Sequence, residues 1–145
     1  MAYKCIVKPE NELIKEIDKK VQGSNETESI KIGNTFHDFI KIRMRRDDLL
    51  FNTENDRTLT RTREFAEEQN HERDYFSIEN STAEHVQQDY FDILVDFIPK
   101  EMEDTFKKTR FQRDPIYINR SGIIANGNTR IACYRKNSSW DEFSE

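Results

Sequence analysis

The residues whose types and spacing carry the most chemistry are Gly122-Ile-Ile-Ala-Asn-Gly-Asn-Thr-Arg130, followed by Ile131-Ala-Cys-Tyr-Arg135. They read as a short apolar strand, a sharp turn through Asn126-Gly127 and a helix opening near Asn128. The N–H groups at a helix start lack intrahelical partners and carry the positive end of the dipole, so they suit an anion. Arg130, one turn in, would bring a forked cationic donor to the same anion. Asn126, Gly127, Asn128, Thr129 and Arg130 are therefore candidate phosphate-binding residues. The same pattern also suits an ordinary strand–turn–helix in which Asn-Gly only turns the chain.

A second polar group is Asn52-Thr-Glu-Asn-Asp-Arg57, where carboxylates and carboxamides lie in reach of an arginine. As a bare pattern it reads first as a solvated loop and only second as a site. Basic residues gather in two further places, Lys41, Arg43, Arg45 and Arg46, then Lys107, Lys108, Arg110 and Arg113. From 64 to 104 there are thirteen acidic residues against two basic, and from 107 to 136 eight basic against Asp114 alone. Such asymmetry permits a polyanion on one face, or simple pairing of acidic with basic elements. The net charge of −5 argues against avid non-specific duplex binding. His37, His71 and His85 lack ligand spacing, and Cys5 and Cys133 form no CxxC pair, so no metal site is expected. Buried free thiols in a reducing cytoplasm are the expectation.

The elements that must position these residues belong to one domain of 145 residues. Only 34% of them are hydrophobic and 35% are charged, yet ten Phe, five Tyr and one Trp point to a folded chain. No apolar run approaches a membrane span, and no signal-peptide core is expected at the N-terminus. Residues 3–7 suit a short strand. Pro9 precedes an amphipathic helix through Leu13, Ile14, Ile17 and Val21, and 22–29 reads as a polar loop. The first 28 residues are thus expected as an N-terminal appendage and linker. Residues 29–32 and 38–44 suit a hairpin about Gly33-Asn34, and 60–69 a helix packed through Phe65 and Ala66. Ser81-Thr-Ala-Glu84 suits a capping box, opening a helix whose Val86, Tyr90, Ile93, Leu94, Phe97 and Ile98 form a core stripe until Pro99. A charged connector then leads to strands at 115–119 and 123–124 and a helix at 128–136. Residues 138–145 read as a polar tail in which Trp140 and Phe143 dock. The sum is a small α+β domain over 29–137, with short strands, one long amphipathic helix and a short motif helix.

The order of the 82–98 helix, Gln112-Arg-Asp-Pro-Ile-Tyr-Ile118, a turn and Gly-Ile-Ile-Ala-Asn-Gly-Asn-Thr-Arg-Ile-Ala132 resembles the ParB/sulfiredoxin superfamily. Members show a "Q..PI.V" strand, a "G.II" hairpin and a "DGN.RL.A" or "GERR" helix start. Leu49-Leu-Phe-Asn-Thr-Glu-Asn-Asp-Arg57 is similar to that fold's opening segment, and the likeness covers roughly 36–136. It implies a nucleotide-phosphate pocket at the start of the 128–136 helix, gripped by Gly127, Asn128, Thr129 and Arg130. Glu54, Asn55 and Arg57 would form the opposite wall. Asn126 stands where an acid is frequent, Asn128 replaces a Glu, and Thr129 replaces an Arg or His. Sulfiredoxins have their catalytic Cys at the place of Asn128, so that redox chemistry is not expected. With no helix-turn-helix after the motif, a stand-alone module of a phage, mobile element or DNA-modification and defence locus is implied.

Three functions follow as expectations. The first is a nucleotide-binding module that hydrolyses or transfers phosphate, with Glu54 as base or Mg2+-coordinating carboxylate beside a nucleoside triphosphate and Arg57 assisting. The second is a DNA-binding protein or nuclease using the basic residues from Lys41 to Arg46 and from Lys107 to Arg113. The third is a non-catalytic module whose acidic 64–104 segment binds a basic protein partner.

Overall fold

The computed structural model of the chain describes residues 4–109 and 116–137. Among these lie α1 (Glu10–Gly23), β1 (Thr27–Ile32), β2 (Thr35–Ile40), α2 (Leu59–Glu68), α3 (Glu84–Val95), α4 (Lys100–Thr109), β3 (Tyr117–Ile118), β4 (Ile124–Asn126) and α5 (Asn128–Lys136). The strands form two antiparallel pairs, β1–β2 and β3–β4. The chain is a small α+β protein dominated by helix.

The apolar stripe of α3 makes the centre. Val86, Tyr90, Phe91, Ile93 and Leu94 are buried with Phe51, Ile124, Ile131 and Ala132. Each such side chain contributes about 1.5–3 kcal/mol when taken out of water. The helix starts at Glu84, later than a capping box at 81–84 requires. Ser81 instead donates its hydroxyl to the Ile78 carbonyl at 2.8 Å, closing a turn before the helix. The expected connector after Pro99 is the helix α4, with acidic residues in its first turn and Lys107 and Lys108 in its last, as the dipole favours. Its Phe106 packs on Tyr134 of α5 at 4.7 Å between ring centres.

Residues 4–9 are not a strand. The N–H groups of Cys5 and Val7 go to side chains of α3, to Gln88 Oε1 at 2.6 Å and Glu84 Oε2 at 3.3 Å. Cys5 joins the main core, while Leu13 and Ile17 of α1 form a second cluster with Leu50. The N-terminal segment is therefore built into the body rather than hung from it. Gly122, at φ +82°, is required here, because a Cβ would stand 2.6 Å from the buried Leu13 Cδ2.

The hairpin forms about Gly33-Asn34, with Ile32 paired to Thr35. So tight a turn starts pairing at Thr35, and β2 ends at Ile40 instead of running to 44. Ile42 and Met44 still pack against the second cluster from irregular backbone. The expected docking of Trp140 and Phe143 lies outside the described residues.

Candidate functional site

Gly127 is the N-cap of α5, at φ +124°. A Cβ at this position would sit 3.1 Å from Ile116 and 3.4 Å from Arg130 Nη2, so both backbone and space call for glycine. Its carbonyl accepts the first helical bond, from Ile131 N–H at 3.0 Å. Helix geometry leaves the N–H groups of Asn128, Thr129 and Arg130 without intrahelical partners.

The facing wall is set by an extended segment through Leu50, Phe51 and Asn52. Leu50 exchanges backbone bonds with the β3–β4 unit, donating to Gly122 O at 2.9 Å and accepting from Ile124 N at 2.8 Å. Phe51 pairs instead with a buried side chain. Its N–H donates to Gln87 Oε1 at 2.8 Å, and Gln87 Nε2 donates to Phe51 O at 3.2 Å and to Ser81 O at 2.7 Å. Asn52 turns back and pairs with Asn128 in the same way, its N–H to Oδ1 at 3.1 Å and its carbonyl from Nδ2 at 2.8 Å. Two carboxamides thus replace strand rungs where no strand is present, satisfying peptide groups that are costly to leave unpaired.

The arm beyond Asn52 carries the second candidate group. Thr53 donates its hydroxyl to Phe76 O at 2.6 Å, and Asn55 Oδ1 caps the single turn at 56–58 by accepting from Arg57 N at 3.0 Å. Thr58 hydrogen-bonds the hydroxyl of the fully buried Tyr90 at 2.8 Å. Burial raises the Tyr90 phenol above its ordinary range, while hydrogen bonds to Thr58 and Asn128 oppose that. It is a neutral hydrogen-bonding group.

Between arm and helix lies a cleft of about 300 Å³. Asn55, Arg57 and Thr58 line one side, 125–130 another, and Leu94, Phe97 and Met102 a third. Two of the expected groups, at 55–58 and 125–130, are therefore neighbours despite their separation along the chain. The described lining holds two guanidinium groups and no carboxylate. Glu54 is exposed and outside it, with its N–H tied to Asn52 Oδ1 at 3.1 Å. Mg2+ asks for oxygen ligands, usually including a carboxylate, and the described residues contain no cluster of metal-ligating side chains. The described lining does not fit a protein-held Mg2+.

None of the described basic residues at 41–46 or 107–108 lines the cleft. Lys41 lies 4.0 Å from Glu28, Arg46 3.7 Å from Asp47 and Lys107 3.4 Å from Glu103. Arg43, Arg45 and Lys108 are exposed. Arg110 and Arg113 lie outside the described residues. Both cysteines are buried, and burial pushes each thiol up to about 11, so neither is a thiolate near neutral pH.

Three contributors escaped the sequence pattern. Gln87 and Arg135 are polar residues at core spacing, and that spacing was the only local signal. Arg135 is 2% exposed and donates to Arg46 O at 2.7 Å and Leu49 O at 2.6 Å, with its guanidinium 4.7 Å from the centre of the Phe51 ring. Met102 lay in a stretch read as connector.

Fold and cleft together define a small α+β protein with a cleft, between a helix start and a facing arm, whose described lining is partly apolar and carries Arg57 and Arg130. No family model, characterised protein or solved structure matches the chain. No described helix is long and apolar enough to cross a membrane.

Proposed function

We propose that this protein binds a nucleotide, holding its phosphates in the cleft between the α5 start and Arg57. The carrying observation is the cleft lining: Arg57 and Arg130 with the first-turn amides on the polar sides, and Leu94, Phe97 and Met102 on the remaining one. The polar sides suit a phosphate chain and the apolar side suits the flat face of a base. The ParB/sulfiredoxin resemblance of the same motif points the same way. Binding, not turnover, is the proposal, because Glu54 stands outside the described lining. The DNA reading has less support, since Lys41 and Lys107 are each engaged by a glutamate.

Calorimetric titration with ATP, CTP and GTP, with and without magnesium, tests this. Binding of at least one is expected, weakened about tenfold in Arg130→Ala, the usual scale for losing a hydrogen bond to a charged group. No heat with any nucleotide, or unchanged affinity in the variant, overturns it.

A further inference from the structure

We propose that Asn128 is a positioning residue, whose carboxamide acts as a surrogate strand rung and so sets where Arg57 stands relative to the α5 start. The consequence for binding rests on the phosphate reading above, while the geometry stands without it. Asn128 is 5% exposed and both ends of its carboxamide are engaged by the Asn52 peptide groups, at 3.1 and 2.8 Å. On the other flank of Arg57, the buried Tyr90 hydroxyl bonds the Thr58 hydroxyl at 2.8 Å. Arg57 is therefore bracketed. The chain is tied at Asn52 before it, by Asn128, and at Thr58 immediately after it, by Tyr90.

A carboxamide so engaged contributes to an anion site through its backbone N–H and through the arm it holds. Its side chain is not the gripping group. The rung continues a ladder begun by Leu50 on the β3–β4 unit, so the helix start and the arm share one frame. Asn128→Asp keeps the shape but removes the N–H that donates to Asn52 O, and sets an anionic oxygen against that carbonyl.

Titration of the wild type, Arg57→Ala, Asn128→Asp and the double variant with ATP, CTP and GTP separates positioning from direct contact. Arg57→Ala is expected to cost about tenfold in the wild type and no more than about twofold in the Asn128→Asp background, since the arm there is already displaced. Fully additive losses, the double variant losing the product of the two single losses, overturn the proposal. In a second arm without ligand, amide exchange at 52–58 should quicken at least about tenfold in Asn128→Asp while α3 keeps its protection. Unchanged exchange at 52–58 overturns the rung whatever the nucleotides do. Binding of ATP, CTP and GTP to none of the four proteins, with exchange at 52–58 quickened, removes the phosphate reading and upholds the rung. Asn128→Ala, which removes both bonds to the Asn52 peptide groups without adding a charge, replaces Asn128→Asp in both arms if the latter fails to fold.

Discussion

The cleft and the β1–β2 hairpin are built by opposite means. Around the cleft, buried Gln87, Asn128 and Arg135 each tie down main-chain groups far along the sequence, at Phe51, Asn52, Arg46 and Leu49. The hairpin rests on its own ladder. Phe36 is 68% exposed and Ile40 46%, and Phe39 touches Tyr117 at 5.4 Å between ring centres. Buried polar side chains that pair with backbone make a segment's position depend on the whole fold, whereas the register of a hairpin of local pairs is set by its own turn. A binding site needs the first kind of construction, because its groups come from separate segments.

The largest expected effect tests this directly. Gln87→Met keeps approximate volume and leaves Phe51 N–H, Phe51 O and Ser81 O without that partner. It should cost about 3 kcal/mol or more in urea unfolding, on the scale of buried groups left unpaired. A loss under about 1 kcal/mol would dissolve the distinction between the two regions. An intermediate effect comes from Cys5 and Cys133, whose thiols burial holds up to about 11 against an ordinary 9. The unfolded chain loses these protons first, so their contribution is whole below pH 9 and declines as pH rises toward 11. Melting temperature should fall across that window, and less steeply in Cys133→Ala. An identical slope in the variant would mean the thiol is not the titrating group. The smallest effect belongs to the hairpin: Phe36→Ser should change stability by less than about 0.5 kcal/mol, measured by the same urea unfolding. A larger loss would show that the exposed face is packed after all.

Much of this was legible locally. The Asn-Gly turn, the α5 boundaries and the α3 stripe follow from glycine's freedom at positive φ and from helical spacing. The juxtaposition of 55–58 with 125–130 was legible only through a family pattern, since spacing along the chain carries no such contact. Helix α4 was hidden because Pro99 reads as a stop, although a proline also suits the residue before a helix. Its Met102 and Phe106 make an apolar stripe too narrow to stand out among charges. Residues 3–7 read as a strand because an extended segment anchored on a helix, as 4–9 is, uses the same residue types. Gln87 and Asn128 were not legible in role, because their backbone partners lie 36 and 76 residues away.

The most direct test of the central claim is an amide chemical-shift titration with ATP, CTP and GTP in turn, read for the one that binds most tightly. Shifts at Gly127, Asn128, Thr129 and Arg130 should saturate together with those at Asn55, Arg57 and Thr58, with one common affinity. Shifts confined to 41–46 and 107–108, or none at 127–130, would contradict it.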